Sequence, residues 1–121
     1  MLRLAPIVVC AATLALVSSA VAARQPTLAE RGAITAALPT WFQKEPVGCV
    51  WLQISVSANG RFAMAAPTYL NATTKPCSHY AANGEWILKR SMGWRIVFNG
   101  SDAPPCSLGI PHDLVRGCLH G

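Results

Sequence analysis

The sequence predicts an α+β domain with an N-terminal helix, a four-stranded antiparallel meander sheet and a short C-terminal helix. Three observations lead to this fold class. One segment alternates apolar and polar residues strictly, two further segments are joined by a short glycine-containing turn, and helix signals occur only at the two ends of the domain. Strict alternation indicates a strand with one buried face, as antiparallel sheets commonly have.

The N-terminus has the features of a cleaved signal peptide rather than of the folded domain. A single basic residue, Arg3, precedes an apolar run from Ala5 to Val21. Small residues end this run, and Ala20-Val21-Ala22 fits the A-x-A pattern of a cleavage site. Cleavage is therefore expected after Ala22 or Ala23, and the protein is expected to be secreted, periplasmic or bound in the cell envelope.

Removal of residues 1–23 leaves residues 24–121, a length that allows one domain with one modest core. One alternative to cleavage is a membrane anchor, but the apolar run is shorter than the ~20 residues of a spanning helix. Another is a lipoprotein signal at Cys10, but the bulky Val9 before this cysteine does not suit lipoprotein processing. We therefore expect no stable membrane insertion after cleavage. The formal net charge of the full chain is +5. Because the basic residues are scattered, no nucleic-acid partner is expected.

The first helix is predicted over Leu28 to Leu38. Thr27 and Glu30 have the spacing of a capping box, in which each side chain accepts from the other residue's backbone N–H. Pro39 ends the helix because proline disfavours the helical conformation of the residue before it.

The first hairpin is predicted from the alternating strand Val50–Ser57. Its apolar residues would face the core, and Trp51 and Gln53 would lie on the opposite, mostly solvated face with Ser55 and Ser57. The pair Asn59-Gly60 favours the positive φ angles of a tight turn. A second strand is expected over about Arg61–Ala66.

The second hairpin is predicted to join Glu85–Arg90 to Trp94–Asn99 through the three-residue turn Ser91-Met92-Gly93. Glycine is expected there in a left-handed conformation. This turn sets a register for the pairs that face each other across the two strands: Arg90 with Trp94, Leu88 with Ile96, and Trp86 with Phe98. Apolar pairs of this kind stabilise a sheet by a few tenths to ~1 kcal/mol each.

The C-terminal helix is predicted over Pro111–Leu119, with proline at its first position, where a missing N–H costs nothing. Ile110, Leu114 and Cys118 are spaced four apart and would form one stripe facing the sheet.

Four cysteines remain when Cys10 leaves with the leader, and an even number in an exported chain indicates two disulfides. We expect Cys106 to bond Cys118 and Cys49 to bond Cys77. The pairings of Cys49 with Cys106 and Cys77 with Cys118, or of Cys49 with Cys118 and Cys77 with Cys106, stay open, although they would need the terminal helix to cross the sheet.

Most of the mature chain resembles a family of small exported bacterial proteins of uncharacterised function. These carry a GGWRVV…GS…C…IP…V pattern after an ISVS…FA strand pair. The matching segments here are Ile54–Ser57, Phe62-Ala63, Gly93–Phe98, Gly100-Ser101, Pro105-Cys106, Ile110-Pro111, Asp113-Leu114 and Cys118. The resemblance covers approximately residues 45 to 118. It implies a secreted or envelope-facing α+β domain with disulfides, and it carries over no catalytic residue.

No catalytic, cofactor-binding or metal-binding residue is predicted. The C-x-H pairs Cys77/His79 and Cys118/His120 lack the spacing of structural zinc sites, and no G-x-S-x-G element of a serine hydrolase occurs. Acidic residues that could be drawn on for glycoside hydrolysis have plainer roles in caps, turns and loops. They are Glu30, Glu45, Glu85, Asp102 and Asp113.

The residues selected as a possible binding face are Trp51, Gln53, Arg90 and Trp94. Trp51 stands out because its neighbours on the same strand face are polar, and Trp94 could stack under the Arg90 guanidinium. The sequence therefore predicts an exported, non-catalytic module that binds a protein or an envelope component. The alternatives are an inhibitor or accessory domain of a secreted hydrolase, and a small hydrolase whose site has no recognised motif.

Overall fold

The computed structural model describes residues 22–44, 48–69 and 84–120. In this part of the chain, a helix pair precedes a four-stranded antiparallel sheet in the order β1-β2-β3-β4. The elements are α1 (Leu28–Ala37), α2 (Thr40–Gln43), β1 (Val50–Val56), β2 (Phe62–Tyr69), β3 (Glu85–Arg90), β4 (Trp94–Gly100) and a 3₁₀ turn at Cys106–Leu108. The meander and the N-terminal helix agree with the sequence prediction.

Helix α1 begins at the predicted capping box. The Thr27 hydroxyl accepts from the Glu30 N–H at 3.1 Å, and the Glu30 carboxylate accepts from the Thr27 N–H at 3.0 Å. The helix ends where Leu38 becomes extended before Pro39. Ile34 and Leu38 are buried against the sheet, so the helix is held by an apolar stripe and by its cap.

One face of the sheet, the helix face, carries the main core. The alternation of β1 is confirmed, since Leu52, Ile54 and Val56 are buried there. The other described strands contribute Ala63, Ala65, Trp86 and Leu88 to the same cluster, which packs on α1 and α2.

The opposite face of the sheet, the coil face, is also covered in part. Phe62 and Ile87 are buried there with Leu114 from the C-terminal segment. Ser57, expected to face water, is buried: its hydroxyl donates to Asn59 Oδ1 at 2.6 Å and accepts from the Phe62 N–H at 3.1 Å. The hydroxyl thus satisfies the β1–β2 turn instead of meeting solvent.

The register of the second hairpin is correct at the turn and wrong beyond it. Arg90 pairs with Trp94 and Leu88 with Ile96, but a bulge then makes Ile87 pair with Phe98 and Trp86 with Asn99. The physical reason is that Val97 is an extra residue in β4, which shifts the later side chains to the other face. Phe98 therefore packs with Ile87 on the coil face.

The predicted C-terminal helix over Pro111–Leu119 is wrong. One turn forms, in which the Leu114 and Val115 N–H groups donate to the Pro111 carbonyl, and the chain then becomes irregular. Among the described residues, α1 is the only helix of seven residues or more, and it precedes all the strands. The fold class is corrected accordingly: a helix-backed antiparallel sheet followed by a coil.

Pairing at the end of the chain explains why that helix does not form. Leu119 donates to the Pro104 carbonyl at 2.8 Å and accepts from the Cys106 N–H at 3.0 Å, which makes a short parallel bridge. An isolated segment of nine residues is a marginal helix in water. The extended pairing satisfies both the N–H and the carbonyl of Leu119, and it therefore forms in place of the helix.

The disulfide between Cys106 and Cys118 is present, as predicted, with 4.8 Å between the two Cα atoms. Cys49 is buried at the start of β1 and is also in a disulfide. Its predicted partner, Cys77, lies outside the described residues. No helix in the described part of the chain is both long and apolar enough to cross a membrane.

Candidate functional site

The four residues selected from the sequence divide into two pairs. Trp51 and Gln53 are exposed on the coil side of β1, since they alternate with the core residues of that strand. Trp94 packs beside the helix-face core, and Arg90 lies opposite it at the β3–β4 turn. Because β1 and β4 are the two outer strands of the sheet, the pairs do not form one surface.

Trp51 is 59% exposed and contacts an arginine from α1. The Arg31 guanidinium lies 5.9 Å from the centre of the indole ring, and its Nη1 donates to the Leu52 carbonyl at 3.1 Å. Arg31 thus reaches from the helix across the outer edge of β1 and binds one of the carbonyls on that edge. This contact gives the Trp51 region a structural role that the sequence prediction did not include.

A groove of about 310 Å³ lies between α1 and the β3–β4 turn. It forms because small side chains on α1 face the turn and leave space beside the Trp94 indole. The residues that line it are Ala29, Glu30, Ala33, Arg90, Gly93 and Trp94. Two of the four predicted residues, Arg90 and Trp94, therefore meet in one cavity, and the Arg90 guanidinium lies 6.0 Å from the Trp94 ring centre.

The groove carries charges of both signs. Arg24 Nη1 and Nη2 donate to the two Glu30 carboxylate oxygens at 2.7 and 2.9 Å. These hydrogen bonds, with the Thr27 N–H as the next contribution, lower the pKa of Glu30 to about 2. A carboxylate with so low a pKa stays ionised at neutral pH and is a poor general acid or base. Glu30 therefore contributes charge to the groove and no proton transfer at neutral pH.

Sequence reasoning missed part of the groove. Glu30 was fully explained as a helix cap, and Ala29 and Ala33 carry no chemical signal of their own. Their spacing of four places both small side chains on one side of α1. This spacing is the signal that could have indicated a space beside the helix. Which element faces that space depends on tertiary packing.

A second cavity, of about 300 Å³, lies on the coil face. It contains two of the acidic residues considered for hydrolysis, Glu85 and Asp102, together with Arg116 and the apolar side chains of Met64 and Leu114. Both carboxylate residues are exposed. The structure therefore brings together two acids that lie 17 positions apart in the sequence.

Three potential metal ligands converge at the end of the chain. Atoms of Cys106, Cys118 and His120 lie within 4.8 Å of one another. Both sulfurs are in the disulfide, however, and a metal binds the thiolate form of cysteine. This cluster does not hold a metal while the bond is intact.

Comparisons of the chain with protein-family models, with curated proteins and with solved structures found no match.

Proposed function

We propose that the chain is an exported, non-catalytic binding module that acts in the cell envelope or the medium and uses the groove between α1 and the β3–β4 turn. The observation that carries this proposal is the meeting of Arg90 and Trp94, both selected from the sequence, in one open cavity. Open concave surfaces with an aromatic wall and a few polar groups are common ligand sites.

The groove fits a small amphipathic group. The Trp94 ring and the methyl groups of Ala29 and Ala33 offer apolar contact, and Arg90 offers donors of fixed charge. Both oxygens of the Glu30 carboxylate already accept from Arg24. A short peptide segment or a sugar residue of an envelope component matches this combination. Aromatic rings supply much contact area at low conformational cost, so Trp94 would contribute most of the affinity.

Export is supported by the leader pattern over residues 1–23 and by the disulfides. Structural disulfides persist in oxidising compartments, and the bond between Cys106 and Cys118 holds the C-terminal segment. The leader itself lies almost wholly outside the described residues.

The test uses the protein purified after export of the full-length chain. It is immobilised, envelope extract is passed over it, and each retained component is identified and titrated against free protein by calorimetry. Ala33→Gln fills the groove from an exposed helix position. Ala36→Gln makes the same change on the same helix away from the groove, because Ala36 is exposed and does not line it.

Ala33→Gln should weaken binding at least tenfold, and Ala36→Gln should not change it. Equal affinities for the two variants would contradict the groove as the site. If the retained component is a secreted hydrolase whose activity falls on binding, the module is its inhibitor, which was the first alternative.

A small hydrolase is the second candidate, favoured by the meeting of Glu85 and Asp102 in the coil-face cavity. Two carboxylates in one cleft are the usual requirement of glycoside hydrolysis. Envelope glycans are incubated with the exported protein and with Glu85→Gln and Asp102→Asn. Release of reducing ends that both substitutions abolish would support this activity, and release that neither substitution changes would contradict it.

A further inference from the structure

The turns of both hairpins lie at the same end of the sheet. Phe62, at the start of β2, pairs with Lys89, near the end of β3, and the Arg90 N–H donates to the Arg61 carbonyl at 2.8 Å. We call this region, residues 57–61 and 89–95, the hairpin end.

The hairpin end concentrates positive charge on both faces of the sheet. Lys89 and Arg95 are directly opposite each other in β3 and β4 and share the coil face, whereas Arg90 extends on the helix face with Trp94. Arg61 is exposed beside Arg90. Like charges placed directly across two strands destabilise a sheet, so the pairing of Lys89 with Arg95 lowers the stability of the fold, although Lys89 Nζ lies 5.7 Å from the Phe62 ring centre.

These four cations lack acidic partners. In the described ranges 22–44, 48–69 and 84–120, the one ion pair joins Arg24 to Glu30. Asp113 also approaches this end, where its Oδ2 accepts from the Ala58 N–H at 2.7 Å, so one carboxylate that forms no ion pair in these ranges stands against four cations. Among the described residues, Lys89 and Arg90 have aromatic contacts, with Phe62 at 5.7 Å and Trp94 at 6.0 Å, but no acidic side chain neutralises the positive charge of Arg61, Lys89, Arg90 or Arg95.

Met92 projects from the tip of the β3–β4 turn. Its side chain is fully exposed, and it is the one non-glycine residue with a positive φ, +52°, in the described chain. A single exposed apolar side chain is common on protein surfaces, but a non-glycine residue in the left-handed conformation is uncommon. A functional contact is the explanation that such an outlier invites.

We propose that the hairpin end docks on an anionic lipid bilayer, with Met92 inserted at the interface and the four cations against headgroup phosphates. An apolar tip ringed by Lys and Arg is the arrangement that binds membrane surfaces through burial and charge together. A soluble polyanion would account for the cations and would leave Met92 in water. This inference goes beyond the proposed groove, which it does not require.

The experiment measures co-sedimentation of the exported, oxidised protein with vesicles of phosphatidylcholine alone and of phosphatidylcholine mixed with phosphatidylglycerol. We expect binding to the mixed vesicles, weakened by salt, and little binding to the neutral ones. The double variant Lys89→Gln/Arg95→Gln should lower the vesicle partition coefficient roughly 30-fold, because each basic residue near the membrane surface contributes about a fivefold factor. Lys44→Gln/Arg116→Gln removes the same charge elsewhere and should change it much less.

Met92→Asn tests insertion separately, because asparagine accepts a positive φ and keeps the turn. It should weaken binding about tenfold through lost apolar burial, while Leu119→Asn, at an exposed apolar residue outside the hairpin end, should not. Thermal unfolding of each variant checks that the fold is kept.

Three results would overturn the proposal: no binding to the mixed vesicles, equal losses in the two charge variants, or full binding by Met92→Asn. The last result would point to a soluble polyanion as the partner. Ala33→Gln should bind vesicles normally, which separates this proposal from the proposed groove.

Discussion

Loss of the bond between Cys106 and Cys118 should lower the stability of the whole domain and make the C-terminal segment on the coil face the first part to open. The bond closes a loop with a sequence separation of 12. In the chain-entropy model, a closed loop of this length contributes about 3 kcal/mol to the free energy of unfolding. We therefore expect Cys106→Ser/Cys118→Ser to lower the free energy of unfolding by about 3 kcal/mol.

The local consequence follows from what the loop covers. Leu114 is 8% exposed and seals the cluster of Phe62 and Ile87. No helix holds this segment in place, so its order depends on the disulfide, on the bridge between Pro105 and Leu119, and on Leu114 itself. Without the bond, the segment should open at a lower free energy than the sheet unfolds.

The assay is urea unfolding followed by tryptophan fluorescence, combined with native-state hydrogen exchange. In the serine variant, the amides of Cys106 and Leu119 should exchange by local opening at a lower free energy than those of β1, which should follow the global free energy of unfolding. A stability loss below about 1 kcal/mol, well under the chain-entropy value, would refute the reasoning. So would equal protection of the Cys106, Leu119 and β1 amides in the serine variant, because the segment would then open only together with the sheet.

Three further predictions concern the core, the helix cap and export. Leu88→Ala should lower the free energy of unfolding in urea by about 2–4 kcal/mol, because Leu88 is fully buried. Lys89→Ala should lower it by less than about 0.5 kcal/mol, and the reverse order would contradict the assignment of the two residues to their faces. Glu30→Gln should cost about 1 kcal/mol at neutral pH, a value limited by the 42% exposure of Arg24. Since the folded pKa of Glu30 is about 2 and lies below its unfolded value, this difference should shrink as pH falls from about 5 to about 2, and a constant difference would contradict the ion pair. Finally, N-terminal sequencing of the exported protein should begin at Ala23 or Arg24, and Met1 would contradict cleavage.

Features controlled by neighbouring residues could be predicted from the sequence. The capping box at Thr27, the alternation of β1 and the turn at Ser91–Gly93 each depend on a few adjacent side chains, and all are present. A turn also forms at Asn59-Gly60, but only Gly60 has a positive φ there, +73°, so the left-handed conformation expected of both residues is wrong for Asn59. The pairing of Cys106 with Cys118 also followed from proximity along the chain.

Features decided by tertiary contacts could not be predicted. The extra residue Val97 in β4 leaves no local signal, yet it moves Phe98 to the coil face. The residues of 111–119 have a helical spacing, but pairing of Leu119 with Pro104 and Cys106 overrides it. Likewise, the groove exists because α1 crosses the sheet beside the β3–β4 turn, which no single segment encodes.

The pairing of Arg24 with the sheet would constrain the order of events in the proposed secretion. Its N–H and carbonyl both bond to Val56 at 2.8 Å, and its side chain binds Glu30. A peptidase needs several extended residues on either side of the bond that it cuts, and a cut after Ala22 or Ala23 would fall within two residues of this anchored position. Maturation should therefore precede folding, and a chain that folds early should resist processing and accumulate as precursor.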